Sequence, residues 1–66
     1  TTVEWINEDP AMHTATSGGP TSGADGVFDS EILNMGDTYQ FTFADVGNYD
    51  YYCILHPWMI GTVNVE

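Results

Sequence analysis

The chain has 66 residues, ten of them Asp or Glu and none Lys or Arg, giving a net charge of -10, and it holds one cysteine. Without cations it cannot neutralise phosphates, which excludes nucleic acid and an anionic membrane surface as partners and leaves no Lys or Arg for ion pairs. A single cysteine excludes an internal disulfide, a CxxC redox pair and zinc modules built on four cysteines or on two cysteines and two histidines.

A chain of this length makes one domain, residues 1–66, with a core small enough to need a metal or a partner as a staple. Its negative charge repels itself and is eased by salt, so a saline setting or a basic partner is expected. No apolar run approaches the ~20 residues of a membrane helix, so no membrane insertion is expected in this segment. No secretory signal pattern is present. Residues 1–7 read as a strand already in progress, and residues before Thr1 are therefore expected.

In chain order, Val3, Trp5 and Asn7 alternate with Glu4 and Ile6, which predicts a strand over 2–7. Pro10 and the acidic residues around it make 8–12 a loop. Residues 13–16 read as a short strand with Thr14 and Thr16 on one face. Residues 17–26 hold four glycines and a proline, and are expected to form a surface loop. Residues 27–32 read as extended, with Phe28 and Ile32 inward. Asn34-Met35-Gly36-Asp37 is a turn. Over 38–44, Tyr39, Phe41 and Phe43 alternate with Thr38, Gln40 and Thr42, the pattern of a half-buried strand. After a turn at 45–48, a strand over 48–53 puts Tyr49, Tyr51 and Cys53 on one face. Residues 60–65 make the last strand, with Val63 and Val65 inward. Helical periodicity is nowhere sustained. The fold class is all-β, and this spacing of short strands predicts a Greek-key sandwich. Tyr49, just after the 45–48 turn, is placed as a tyrosine corner.

The chemistry concentrates in Tyr51-Tyr52-Cys53-Ile54-Leu55-His56-Pro57-Trp58-Met59. A thiolate, an imidazole and a thioether stand there as Cys-x2-His-x2-Met. Copper prefers such ligands, and Cys with two His and a weak axial Met is the set of a blue-copper electron-transfer centre. The second histidine would be His13, 40 positions before Cys53. Alone, Cys53 reads more readily as a small buried hydrophobe, His13 as a loop residue and Met59 as packing. Their conjunction between two strands favours one copper ion held by His13, Cys53, His56 and Met59. A rigid strand ending at Cys53 and a loop stiffened by Pro57 suit a metal that must change charge without moving its ligands. Met12 and Met35 are assigned to packing.

The segment from Tyr49 to Glu66 resembles the C-terminal end of amicyanin and related plastocyanin-like cupredoxins. Val3-Glu4-Trp5-Ile6-Asn7, followed by His13, is similar to their upstream ligand region. Phe41-Thr42-Phe43, with Gly47 and Tyr49, fits between the two. The resemblance covers nearly the whole chain, and Cys-x2-His-Pro-x-Met is a specific motif. It implies a type 1 copper protein with His13, Cys53 and His56 as strong ligands and Met59 axial. It also implies a domain lacking the N-terminal strands of its relatives, whose exposed edges would invite oligomerisation. Amicyanin-like proteins often carry Asn after the first His, where it braces the ligand loop and bonds the sulfur. Thr14 stands there instead, a change that would tune the metal.

The function expected is single-electron shuttling between redox partners by Cu(I)/Cu(II). The partner would dock on the apolar rim near His56, Pro57 and Trp58, steered by the negative surface. The alternative is a small-molecule redox enzyme, for example oxidising or reducing a nitrogen oxide, at a copper with an open position. One cysteine argues against copper storage, and Met59 against a zinc site. Copper(II)-thiolate chemistry suits an oxidising, extracytoplasmic compartment, periplasm or cell surface.

Overall fold

A computed structural model describes all of residues 1–66, in six strands and no helix: β1 (Thr2–Ile6), β2 (Thr16–Gly19), β3 (Gly23–Asp29), β4 (Thr38–Thr42), β5 (Gly47–Tyr52) and β6 (Ile60–Val65). They form a two-stranded sheet, β1-β4, and a four-stranded sheet in the order β3-β2-β5-β6. Every pairing is antiparallel. The all-β sandwich expected from the alternating pattern is what the chain forms.

The two sheets meet through aromatic side chains. From β1 and β4 come Val3, Trp5, Tyr39 and Phe41, with Phe43 just beyond; from the other sheet come Phe28, Tyr49, Tyr51, Val63 and Val65. The period-2 register places each of these inward and their polar neighbours outward. Phe28 is the hub, 4% exposed. Its ring lies 5.1 Å from Trp5 and 5.3 Å from Phe41, and meets Phe43 edge-on at 5.7 Å. Edge-to-face and tilted contacts at these separations suit the quadrupoles of aromatic rings. The Tyr49 hydroxyl donates to Asp45 O at 2.9 Å, the tyrosine corner read from the turn before it.

Three readings are corrected. Residues 17–26, expected to be a surface loop, supply most of β2 and of β3, joined by a tight turn at Pro20-Thr21-Ser22. Backbone hydrogen bonding needs no apolar side chains, so the glycine-rich composition hid the hairpin. Gly18 makes it possible: at φ +119°, a Cβ there would stand 2.2 Å from Gly23 O. Buried Ser17 completes the pairing, its hydroxyl bridging the N–H of Phe28 at 2.8 Å and the C=O at 3.0 Å.

Ile32, expected inward, is 48% exposed, and Leu33 is buried instead. Glu31 takes φ +59°, a left-handed step that resets the alternation by one residue. The short strand expected over 13–16 is also smaller than read. β2 begins only at Thr16, and His13 makes a single bridge with Leu33.

Candidate metal centre

Cys53 directly follows β5 and Met59 directly precedes β6. The Cys53 N–H donates to Met59 O at 3.0 Å, closing the segment between them. Inside it, the His56 N–H donates to Cys53 O at 3.2 Å and the Met59 N–H to His56 O at 2.9 Å. Two successive turns thus fold Cys53, His56 and Met59 onto one loop whose ends are tied together. Pro57 suits the second turn because its φ is already set.

His13 arrives from the opposite side. Its backbone is pinned by reciprocal bonds with Leu33, at 3.0 and 2.7 Å. The Cys53 Sγ then lies 3.5 Å from His13 Nδ1 and 3.5 Å from His56 Nδ1. All three donor atoms fall within 4.8 Å of one another. Ligands sharing one ion at about 2.0–2.3 Å stand roughly 3.5–3.8 Å apart in a trigonal plane. The two sulfur–nitrogen separations therefore suit a single metal, and a thiolate with two imidazoles is a set that copper accepts.

The surroundings favour a thiolate. Burial pushes the Cys53 thiol up, but the Thr14 N–H and the two histidines outweigh it and bring the group down to about 6. The Thr14 N–H donates to Cys53 Sγ at 3.4 Å. His13 is raised, first by its bond to Cys53 and then by Asp9. Asp9 Oδ2 lies 3.3 Å from His13 Nε2. With Nε2–H donated to that carboxylate, Nδ1 keeps its lone pair for the metal. Asp9 is itself placed by its loop: its N–H donates to Asn7 Oδ1 at 2.9 Å, and its Oδ1 accepts the Ala11 N–H at 3.0 Å. The Ala11 bond and then His13 hold its carboxyl below the usual range.

A profile of the copper binding proteins, plastocyanin/azurin family, matches residues 1–66. The chain belongs to that family. It is 37% identical over 65 residues to amicyanin from Paracoccus versutus, covering 98% of this chain and 48% of that protein. Amicyanin from Paracoccus denitrificans is 34% identical over 65 residues, with 98% and 49% covered. The chain therefore spans about half the length of these amicyanins. A solved structure, a novel purple cupredoxin from Nitrosopumilus maritimus, superposes with a TM-score of 0.92 at 39% identity, over all of this chain and 70% of that one. This cupredoxin is a type 1 copper protein by family, and its metal is copper.

Three of the four residues read from the sequence, His13, Cys53 and His56, converge on one point. Met59 is held in the same loop by its backbone, with its side chain 45% exposed. Met12 and Met35, assigned to packing, are exposed instead at 51% and 63%. Sequence reasoning missed two polar residues beside the site: Asp9, which meets His13, and Asn7, which holds Asp9. Asn7 did carry a signal, since it occupies an inward position of the β1 alternation. A buried amide must find partners, and Asn7 Nδ2 donates to Ala11 O at 3.0 Å and Leu33 O at 2.8 Å.

Proposed function

We propose that this cupredoxin is a one-electron carrier, with copper held by His13, Cys53 and His56 and completed axially by Met59. The observation that carries this reading is the Cys53 sulfur, 3.5 Å from Nδ1 of each histidine. Copper supplies the Cu(I)/Cu(II) couple when bound.

The chain's own task is to hold the donors still. Cys53 is fixed by the β5 end, by Met59 O and by the Thr14 N–H; His13 is fixed by Leu33 and Asp9. A site so braced reorganises little between charge states, which favours fast transfer.

The docking face would lie around half-buried His56. Leu55 and Pro57 are exposed beside it, and Trp58, 75% exposed, meets the His56 ring edge-on at 5.4 Å. A redox partner needs only a small apolar contact of under ~1,200 Å². The net charge of -10 would steer a positively charged one. An extracytoplasmic location goes with this reading, since a copper thiolate suits an oxidising compartment. The open edges of β1 and β4 are where a further strand, including one from a second copy, would pair.

The test is the visible spectrum and redox titration of the copper-loaded protein. An intense thiolate-to-copper band, reversible one-electron reduction and indifference to azide are expected. Cys53→Ser should abolish the band; a band that survives would sink the ligand assignment.

A second reading, small-molecule redox chemistry, rests on a cavity of about 480 Å³ lined by Trp5, His13, Cys53, Trp58 and Met59 among others. Such a space beside three of the four proposed ligands would admit a small molecule to the metal. A spectral shift on adding azide would favour this reading over the carrier.

A further inference from the structure

The register that pairs Thr16 with Tyr52 and Ser17 with Tyr51 ends there. Continued by two residues in each direction, it sets Thr14 opposite Ile54. At that point a side chain takes over from the backbone: the Ile54 N–H donates to Thr14 Oγ1 at 2.9 Å. Behind Thr14 stands Thr16, whose hydroxyl reaches Thr14 Oγ1 at 3.0 Å and Asp29 Oδ1 at 3.1 Å. Thr16 is fully enclosed, at 0% exposure, so these are the partners its hydroxyl has. Asp29 is fixed in turn, because the same oxygen accepts the Glu31 N–H at 2.9 Å in the left-handed bend.

We propose that Asp29, Thr16 and Thr14 form a polar strut from β3 through β2 to the Cys53–His56 loop, and that these positioning residues set how Cys53 meets the metal. The proposal rests on the copper reading above. Hydroxyl contacts along and between strands are common and often only pack. Two features distinguish this one. The line ends on Ile54, the neighbour of Cys53, and passes through Thr14, whose own N–H donates to the Cys53 sulfur at 3.4 Å. Its middle member is a wholly buried hydroxyl where valine would have nearly the same shape, so the polar atom itself is what that position adds. Polar chains in a low-dielectric interior stiffen one another when every member is satisfied, and no buried side-chain nitrogen or oxygen lacks a partner here. The strut also explains how Thr14 can stand in for the Asn of amicyanin-like proteins. The hydroxyl braces the loop, and the backbone N–H meets the sulfur.

The experiment compares Thr16→Val, Thr16→Ser and Asp29→Ala in the 66-residue chain by two readouts. In the metal-free protein, amide hydrogen exchange at Ile54 should accelerate about tenfold in Thr16→Val, the loss of one hydrogen bond's worth of local protection, with amides of the β1-β4 pair as controls. In the copper-loaded protein, Thr16→Val should move the thiolate-to-copper band and the reduction potential while still binding one copper, and Thr16→Ser should restore both. Asp29→Ala, at an exposed position, should act in the same direction and covers the case in which Thr16→Val does not fold. Unchanged Ile54 exchange and an unchanged spectrum in the folded variants would overturn the strut. A wild type that shows no thiolate-to-copper band would instead overturn the copper reading, and the Ile54 exchange would still decide the strut.

Discussion

Asp9 and His13 face each other across one turn of loop, Oδ2 to Nε2 at 3.3 Å, and this contact leaves the other ring nitrogen of His13 directed at Cys53. The carboxylate thereby selects the tautomer and the ring orientation that a metal requires. Asp9→Ala is expected to lower copper affinity about 10–100-fold, measured by competition with a chelator of known affinity. Equal affinity in the variant would show that Leu33 alone positions His13.

The thiol of Cys53 sets a pH dependence in the metal-free protein. Burial opposes ionisation, but the hydrogen bonds from Thr14, His13 and His56 prevail and place the group at about 6, against an ordinary 9.0. Between those values the unfolded chain keeps a proton that the folded one has released. Stability from this group therefore rises with pH across that window, is complete above about 9, and is lost as pH falls through about 6. Ultraviolet thiolate absorbance should show a transition near pH 6 that Cys53→Ser lacks. A transition near 9 would show that the hydrogen bonds do not outweigh burial.

Phe28 carries the small core, touching rings from both sheets. Phe28→Ala is expected to cost about 3–5 kcal/mol. In a chain this short that is enough to unfold the metal-free protein at room temperature. Phe28→Leu should lose less. Circular dichroism melts with and without copper would measure both, since metal binding adds stability to the folded state by mass action.

Gly61 is opposite Tyr51 in the β5-β6 pair. A Cβ added there would come within 2.5 Å of the Tyr51 ring. Trp5 meets that ring edge-on at 5.5 Å and limits how it can yield, and the ring lines the cavity beside the site. Gly61→Ala is expected to cost about 1–3 kcal/mol, read from denaturant unfolding, and to alter the copper spectrum through Tyr51. A neutral effect would mean that Tyr51 can swing aside without disturbing the loop.

The glycine at 61 and the hairpin over 17–26 had little signal in the sequence, for one shared reason. Both depend on a close approach between strands, of backbone to backbone at Gly18 and of the Tyr51 ring to the backbone at Gly61, and no alternation of side chains encodes that distance. The strands of the aromatic core were legible because burial imposes a period of two on Val3 and Trp5, on Tyr39, Phe41 and Phe43, and on Tyr49 and Tyr51. Ile32 and Leu33 exchanged roles because the positive φ of Glu31 breaks that period, and glutamate does not announce a left-handed bend.

By itself the sequence determined which candidate donors share one short loop, and the strands that frame it. Cys53, His56 and Met59 sit close enough in the chain that one tight loop between two strands carries all three, and thiolate, imidazole and thioether are donors that copper accepts. Only the tertiary structure decided the rest: which side of the sulfur His13 approaches, that Asp9 holds its far nitrogen, and that Asp29 and Thr16 stand behind Thr14. Those contacts join residues on different strands, where register, twist and one left-handed residue set the distances, and sequence separation carries none of that information.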